Sequence, residues 1–361
     1  MRFRVRLRPL AVAVTLIVSA LVAAQSAVAA DLAACRDESI DAERLRCYDR
    51  LANRAAPAAG HAAAPERPAM QAIAAAPEGT VRGAGLTPLE RHWEIGPDAK
   101  RGTFEFRAHR STYLLPIRVS NPVGETPTSP APGRTVAGPL DWNSNEVKFQ
   151  LSFKVKVFED LFDRRADLWF GYTQQSNWQL YNNKRSAPFR ETNYEPEAML
   201  VFRTDYDVFG LKARFVNLGF VHQSNGQSNP FSRSWNRLYA QVGLERGNFA
   251  LLVRPWIRIP EGGGNDDNPD IREFVGRGDV VALYKTDSQH VHSLLVRNNL
   301  QVSGNKGAVQ YDWAFPLYRP ADGKVRFRGH LQVFSGYGES LIDYNFRQTS
   351  IGFGISLSEP L

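Results

Sequence analysis

A base, a hydroxyl and an orienting amide lie close together in one stretch of this chain, Gly219-Phe-Val-His-Gln-Ser-Asn-Gly-Gln-Ser-Asn-Pro-Phe-Ser-Arg-Ser-Trp-Asn236. His222 and Ser224 are two residues apart, and Asn236 follows a short loop. These are the residue types of a hydrolytic triad: a hydroxyl as nucleophile, an imidazole as general base and then acid, and a third group that fixes the imidazole tautomer. An amide in place of the usual carboxylate removes a negative charge, which matters where the surroundings are oily and a buried charge is costly. The intervening loop offers hydroxyl and carbonyl oxygens at Gln227, Ser228, Asn229 and Ser232, donors that suit a hard cation such as calcium. A second oxygen-rich run, Asn265-Asp-Asp-Asn-Pro-Asp270, follows the neighbouring pair of predicted strands. Runs of this composition are also ordinary turns, so neither is specific by itself. Gly226 could let its N–H approach an oxyanion.

The three polar groups can meet only if strands present them together. In a strand, residues i and i+2 share a face. Val216, Leu218, Phe220, His222 and Ser224 then project from one face, opposite Phe215, Asn217, Gly219, Val221 and Gln223. After the loop, Asn236, Leu238, Ala240, Val242 and Leu244 share parity, opposite Trp235, Arg237, Tyr239, Gln241 and Glu245. His222, Ser224 and Asn236 are therefore expected at the loop end of an apolar surface. A soluble enzyme buries such a face in its core, whereas an enzyme acting on lipids can leave it towards the bilayer.

The same alternation recurs from about Ser111 onward. Predicted strands cover 112–120, 147–158, 168–180, 191–202, 211–224, 235–244, 249–259, 274–284, 291–299, 308–317, 325–337 and 350–357. About twelve strands of roughly 10 to 13 residues match an all-β, antiparallel transmembrane β-barrel. Trp169, Trp178, Tyr181, Trp235, Trp256, Trp313, Tyr318 and Tyr337 flank strand ends and are expected in interfacial girdles. In the strand from 168 to 180, Leu168, Phe170, Tyr172, Gln174 and Ser176 share parity, which puts an amide on the lipid face. A lone amide there calls for a polar partner, and pairing of two copies through Gln174 supplies one.

Residues 1–30 read as an export signal. Arg2, Arg4, Arg6 and Arg8 precede an apolar run and the small-residue stretch Ala27-Val28-Ala29-Ala30, with cleavage after Ala29 or Ala30. The formal charge of +7 falls to +3 without those four arginines, so the basic balance is a targeting feature and gives no case for nucleic acid. Cys35 and Cys47 are the two cysteines, and in an exported chain a disulfide is the default. Residues 31–54 are expected to form a short helical periplasmic extension, 55–95 an Ala/Pro-rich linker whose end is ambiguous, and 96–361 the barrel. No mature segment reaches the ~18 apolar residues of a spanning helix, so a membrane form must be a closed barrel.

Four motifs, HQSNGQSNPFSRSWNRLY, SAPFRETNYEP, DDNPDI and SGYGESLIDYNFRQT, are dispersed over about residues 145–357. In order and spacing they resemble the bacterial outer-membrane phospholipase A family. The resemblance implies a 12-stranded barrel and calcium-dependent hydrolysis of acyl esters at both positions of glycerophospholipids and in lysophospholipids. It also implies an active homodimer and a dormant monomer. Carried over by motif, Ser224 is the nucleophile, His222 the base and Asn236 the orienting amide. Calcium falls near the Gln227 carbonyl and the Ser232 hydroxyl, with Asp267 and with Ser186 offered by the partner subunit. Gly226 gives the oxyanion-hole N–H, and Gln174 lies at the dimer interface. The chain departs from the pattern at Gln227, where other members have Arg. Its N-terminal extension lies outside the motifs, and it ends Ser-Glu-Pro-Leu361 instead of in an aromatic residue. The competing readings are a non-enzymatic outer-membrane barrel, porin or adhesin-like, and a soluble periplasmic β-protein.

Overall fold

The computed structural model describes Cys35, Glu43, Arg44 and Cys47, then residues 86–318 and 327–357 apart from Gly263 and Asn265. The expected signal at 1–30 and most of the expected linker lie outside the described residues. The chain forms two compact units, 1–71 and 72–361. In the first, the four described residues are helical, and Cys35 and Cys47 are disulfide-bonded with Cα atoms 5.5 Å apart.

The second unit contains the strands β1 (Phe106–Ala108), β2 (Tyr113–Asn121), β3 (Asn145–Asp160), β4 (Ala166–Trp178), β5 (Phe189–Val208), β6 (Leu211–Ser224) and β7 (Ser234–Arg246). It continues with β8 (Phe249–Ile259), β9 (Gly278–Lys285), β10 (Val291–Asn298), β11 (Gly307–Tyr318), β12 (Phe327–Gly336) and β13 (Gln348–Ser356). From β2 to β13 each strand pairs antiparallel with the next, and β13 pairs back onto β2. Twelve strands thus close on themselves. β1 pairs with β3 beyond the end of β2, at Phe106↔Val155, and extends the first strand after a break. Closure leaves no open edge, the condition for a sheet to satisfy its backbone in hydrocarbon.

The alternation read from the sequence is the alternation of the wall. On β6, Ala213, Phe215, Asn217, Gly219 and Val221 are buried, whereas Leu218 and Phe220 are 49% and 42% exposed. Gly219 stays bare because its cross-strand partner Tyr239 lies over it: an added Cβ would stand 2.1 Å from the tyrosine Cζ. Outward positions elsewhere carry Ile117, Leu238, Ile257, Leu294, Ile351 and Phe353. This is the apolar-out, polar-in pattern of a barrel in lipid.

Buried charges inside the wall need partners, because an unpaired one carries a large desolvation cost. Three inward-facing lysines of β3 show how this is met. Lys148 Nζ donates to Gln332 at 2.8 Å and to Glu339 at 3.2 Å. Lys156 pairs with Glu94 at 2.8 Å and Glu159 at 2.7 Å. Lys154 lies over the Trp93 ring, 3.5 Å from its centroid, a cation–π contact. Glu146 takes Arg118 and Arg190. Inside the wall lies a cavity of about 220 Å³ lined in part by Trp93, His109, Glu195, Arg237 and Arg254.

Trp93 belongs to a segment expected as linker, and here the structure corrects the reading. Residues 86–95 are not a linker: α1 (Pro88–Trp93) buries Leu89 and Trp93 in the barrel core. Thr87-Pro-Leu-Glu90 forms a capping box with proline in the first turn, a helix-start signature that the sequence carried. The helix is tethered by Glu245, which accepts from the Leu89 N–H at 3.1 Å and from the Thr87 hydroxyl. Burial would raise the Glu94 carboxyl, but hydrogen bonds from Arg107 and Lys156 overturn that and lower it to about 2. The Trp93 ring meets Trp169 edge-on at 6.3 Å and Phe215 at 5.2 Å. Trp93→Ala is expected to cost roughly 3–5 kcal/mol, read as a lower denaturant midpoint in detergent.

Two further expectations change. The predicted strand 274–284 begins only at Gly278, because Ile271–Val275 forms α2, with Ile271 and Val275 buried four residues apart on one helical face. Trp169, Trp235 and Trp256 are not girdle residues but buried core. They occupy the inward parity: Trp169 stands between Leu168 and Phe170, and Trp256 opposite inward Tyr239. Trp235 and Trp256 pack edge-on at 6.3 Å.

Candidate active site

β6 and β7 pair so that His222 and Asn236 are direct cross-strand partners on the outer face. His222 Nδ1 lies 2.9 Å from Asn236 Oδ1. An amide oxygen only accepts, so this contact requires the tautomer with the proton on Nδ1, which leaves Nε2 free to accept one. Asn236 Nδ2 donates to Glu261 Oε1 at 2.8 Å, from the loop after β8. Burial, then Asp266, raises the Glu261 carboxyl above its ordinary range, against the opposing pull of Arg258 and of the Asn236 bond. Ser224 ends β6 on the same face as His222, and no hydrogen bond joins the two among the described residues. In ligand-free sites such bonds are often long and tighten only with substrate present.

The loop after Ser224 is shaped by Asn225. Its Oδ1 accepts from the N–H groups of Gln227 at 3.3 Å and Arg233 at 3.0 Å, and its Nδ2 donates to the Phe231 carbonyl at 2.8 Å. Gly226 sits at φ +63°, where a Cβ would be strained and would stand 3.3 Å from the Tyr194 ring. The Gln227 side chain donates to Glu191 Oε2 at 2.9 Å.

Ser232 and Asp267 meet: Ser232 Oγ donates to Asp267 Oδ2 at 2.6 Å. Arg134 holds the other carboxylate oxygen at 2.7 Å, and Ser129 Oγ donates to the Asp267 backbone carbonyl at 2.7 Å. Arg134 and Ser129 come from the long loop 121–140, whose Pro/Gly/Ser/Thr composition gave no chemical signal. Ser186 is exposed on the β4–β5 loop with φ +56°, and no hydrogen bond joins it to Ser232 or Asp267 among the described residues. Asn265 lies outside the described residues. Among the described residues no three His, Cys, Asp or Glu side chains converge as a metal cage. The converging donors here are a hydroxyl and one carboxylate, all-oxygen chemistry that fits a hard cation once further ligands are added.

Gln174 is half-buried on the outer face of β4. Its Oε1 accepts from Tyr172 Oη at 3.2 Å and its Nε2 donates to Ser176 Oγ at 3.4 Å. Its cross-strand partner is Tyr194, and the next partner in that row is Ser224. Gln174, Tyr194 and Ser224 therefore form one outward row across β4, β5 and β6, with about 10 Å between the outer two at ordinary strand spacing.

The wall and the site together define a class: a lipid-facing outer-membrane β-barrel that carries a hydroxyl and an oriented imidazole on its outside. Residues 89–357 match the family model described as phospholipase A1. The chain is 43% identical over 278 residues to a putative phospholipase A1 of Neisseria meningitidis serogroup B, covering 76% of this chain and 70% of that one. It is 38% identical over 255 residues to phospholipase A1 of Klebsiella pneumoniae, covering 70% and 85%. Its fold is similar to the Salmonella typhi outer-membrane phospholipase dimer with bound calcium, at a TM-score of 0.62 and 36% identity, covering 72% and 94%. The chain belongs to the outer-membrane phospholipase A family, hydrolases of the Gram-negative outer membrane.

Proposed function

We propose that this protein is a calcium-dependent, dimeric phospholipase that cleaves acyl esters at the sn-1 and sn-2 positions of glycerophospholipids and in lysophospholipids. The observation that carries the reading is the His222–Asn236 pair beside Ser224 on the outer face of the wall. A lipid ester can reach that face without leaving the membrane. In this reading the Ser224 hydroxyl attacks the acyl carbonyl while His222 Nε2 takes its proton. The tetrahedral adduct collapses, the alkoxide leaving group takes that proton from His222, and an acyl-serine remains. Water, deprotonated by His222, then releases the fatty acid and restores the serine. Gly226 presents its N–H to the oxyanion. Ser232, Asp267, the Gln227 carbonyl and Ser186 of the partner subunit would hold calcium, which would supply positive charge beside the site.

The second copy enters through Gln174. Gln174 and Ser224 flank Tyr194 in one outward row, which supports this reading: a barrel paired through Gln174 would share the boundary of the site. Gln174→Leu is expected to weaken calcium-dependent dimerisation by roughly 1 kcal/mol, about fivefold, in sedimentation in detergent. Unchanged self-association would remove this residue from the interface. The test of the whole reading is fatty-acid release from phospholipid mixed micelles by the purified protein, with product lysolipids sorted by position. A purely pore-forming barrel predicts conductance and no release. Against it, α1 buries Leu89 and Trp93 inside the wall, and buried charges pair across the lumen beside them.

A further inference from the structure

We infer that Glu261 is a positioning residue of the hydrolytic site: it holds the Asn236 amide in the orientation that turns its oxygen, and not its nitrogen, towards His222. The inference rests on the proposed roles of Ser224, His222 and Asn236.

The reason lies in the symmetry of an amide. Its two ends have the same shape, so a half-turn exchanges oxygen for NH2 at almost no steric cost. The exchange reverses the chemistry. With Oδ1 towards His222, the proton sits on Nδ1 and Nε2 can accept the nucleophile's proton. With Nδ2 towards His222, Nδ1 must be the acceptor, the proton moves to Nε2, and the base is blocked. An aspartate needs no such control, because both of its oxygens accept. An asparagine does.

Glu261 supplies that control. An ionised carboxylate only accepts, so it can pair with Nδ2 and not with Oδ1. The 2.8 Å bond from Asn236 Nδ2 to Glu261 Oε1 and the 2.9 Å contact from Asn236 Oδ1 to His222 Nδ1 use opposite ends of one amide. A charged acceptor makes this bond roughly twice as strong as one between neutral groups. It also places, one residue further out, the negative charge that the asparagine lacks. Glu261 comes from the loop after β8, whose last residue, Ile259, is the cross-strand partner of Asn236. The strand register therefore delivers the carboxylate to the amide. Glu261 touches no reacting atom and is not one of the oxygens proposed for calcium.

Glu261→Gln keeps size and hydrogen-bonding capacity, but its amide can donate as well as accept, so the orientation of Asn236 is no longer selected. At saturating calcium, the variant is expected to lose roughly tenfold in kcat with KM unchanged. Glu261→Ala should lose at least as much. In an Asn236→Ala background the same Glu261→Gln change should cost less than about twofold, because there is no amide left to orient. Far-UV circular dichroism and calcium-dependent dimerisation of each variant establish that the barrel and its assembly are intact.

A kcat for Glu261→Gln within about twofold of the parent overturns the proposal, as does a loss that multiplies in full with Asn236→Ala. A loss that vanishes as calcium is raised assigns Glu261 to the calcium loops and also overturns it. Failure of the underlying reading looks different: Ser224→Ala would still release fatty acid.

Discussion

Ser224→Ala is expected to reduce fatty-acid release from phospholipid mixed micelles by roughly a thousandfold or more, with barrel stability and dimerisation unchanged. The size follows from the role. Without the hydroxyl there is no acyl-enzyme, and His222 can only activate water that must find the ester unaided. The substitution removes one oxygen from a half-exposed position at the end of β6, where no core packing depends on it. An assay that detects acyl-serine formation separates the two steps. The parent should show a burst with an activated ester and the variant none. Hydrolysis by Ser224→Ala at near-parental rate would rule out this nucleophile.

Removal of divalent ions by a chelator is the second large effect. It is expected to take hydrolysis to background and the population to monomers together, with both recovered on adding calcium. On the proposed reading the two effects are coupled. Within one chain, Ser232 and Asp267 bring together one hydroxyl and one carboxylate, fewer than the six to eight oxygens that calcium takes. On that reading, a site completed by Ser186 of the partner subunit would bind the ion and the partner in one equilibrium, each raising the affinity for the other. Arg134 already neutralises one oxygen of Asp267, which limits the charge the loop can offer and favours a weak site, filled only when calcium is plentiful. Activity and dimerisation should share one calcium midpoint in titration. Full activity in excess chelator would sink the metal assignment, whereas loss of activity with dimers intact would sink the coupling.

Much of the wall was legible because its rule is local. A strand has a period of two whatever surrounds it, so the exposed Leu218 and Phe220 and the buried Phe215 and Val221 follow from parity alone. The outward facing of His222, Ser224 and Asn236 comes from the same count. The same count turns Trp169, Trp235 and Trp256 inward, against the girdle position that their chemical type suggests. α1 escapes a local reading for another reason. Its Thr87–Glu90 capping box was present, but it sat at the end of an Ala/Pro-rich stretch, and a six-residue helix becomes stable only by burying Leu89 and Trp93 in a core built from distant strands.

What the chain alone determined, then, is the alternation, the turn spacing, and the sharing of one face by an imidazole, a hydroxyl and an amide, since all three depend on neighbours a few residues away. What tertiary structure decided is which groups complete those residues. Glu261 reaches Asn236 because β7 and β8 pair in one register. Arg134 reaches Asp267 across 133 residues of sequence. Tyr194 links Gln174 to Ser224 because β5 lies between β4 and β6. No local period encodes these contacts. They exist only once the sheet has closed.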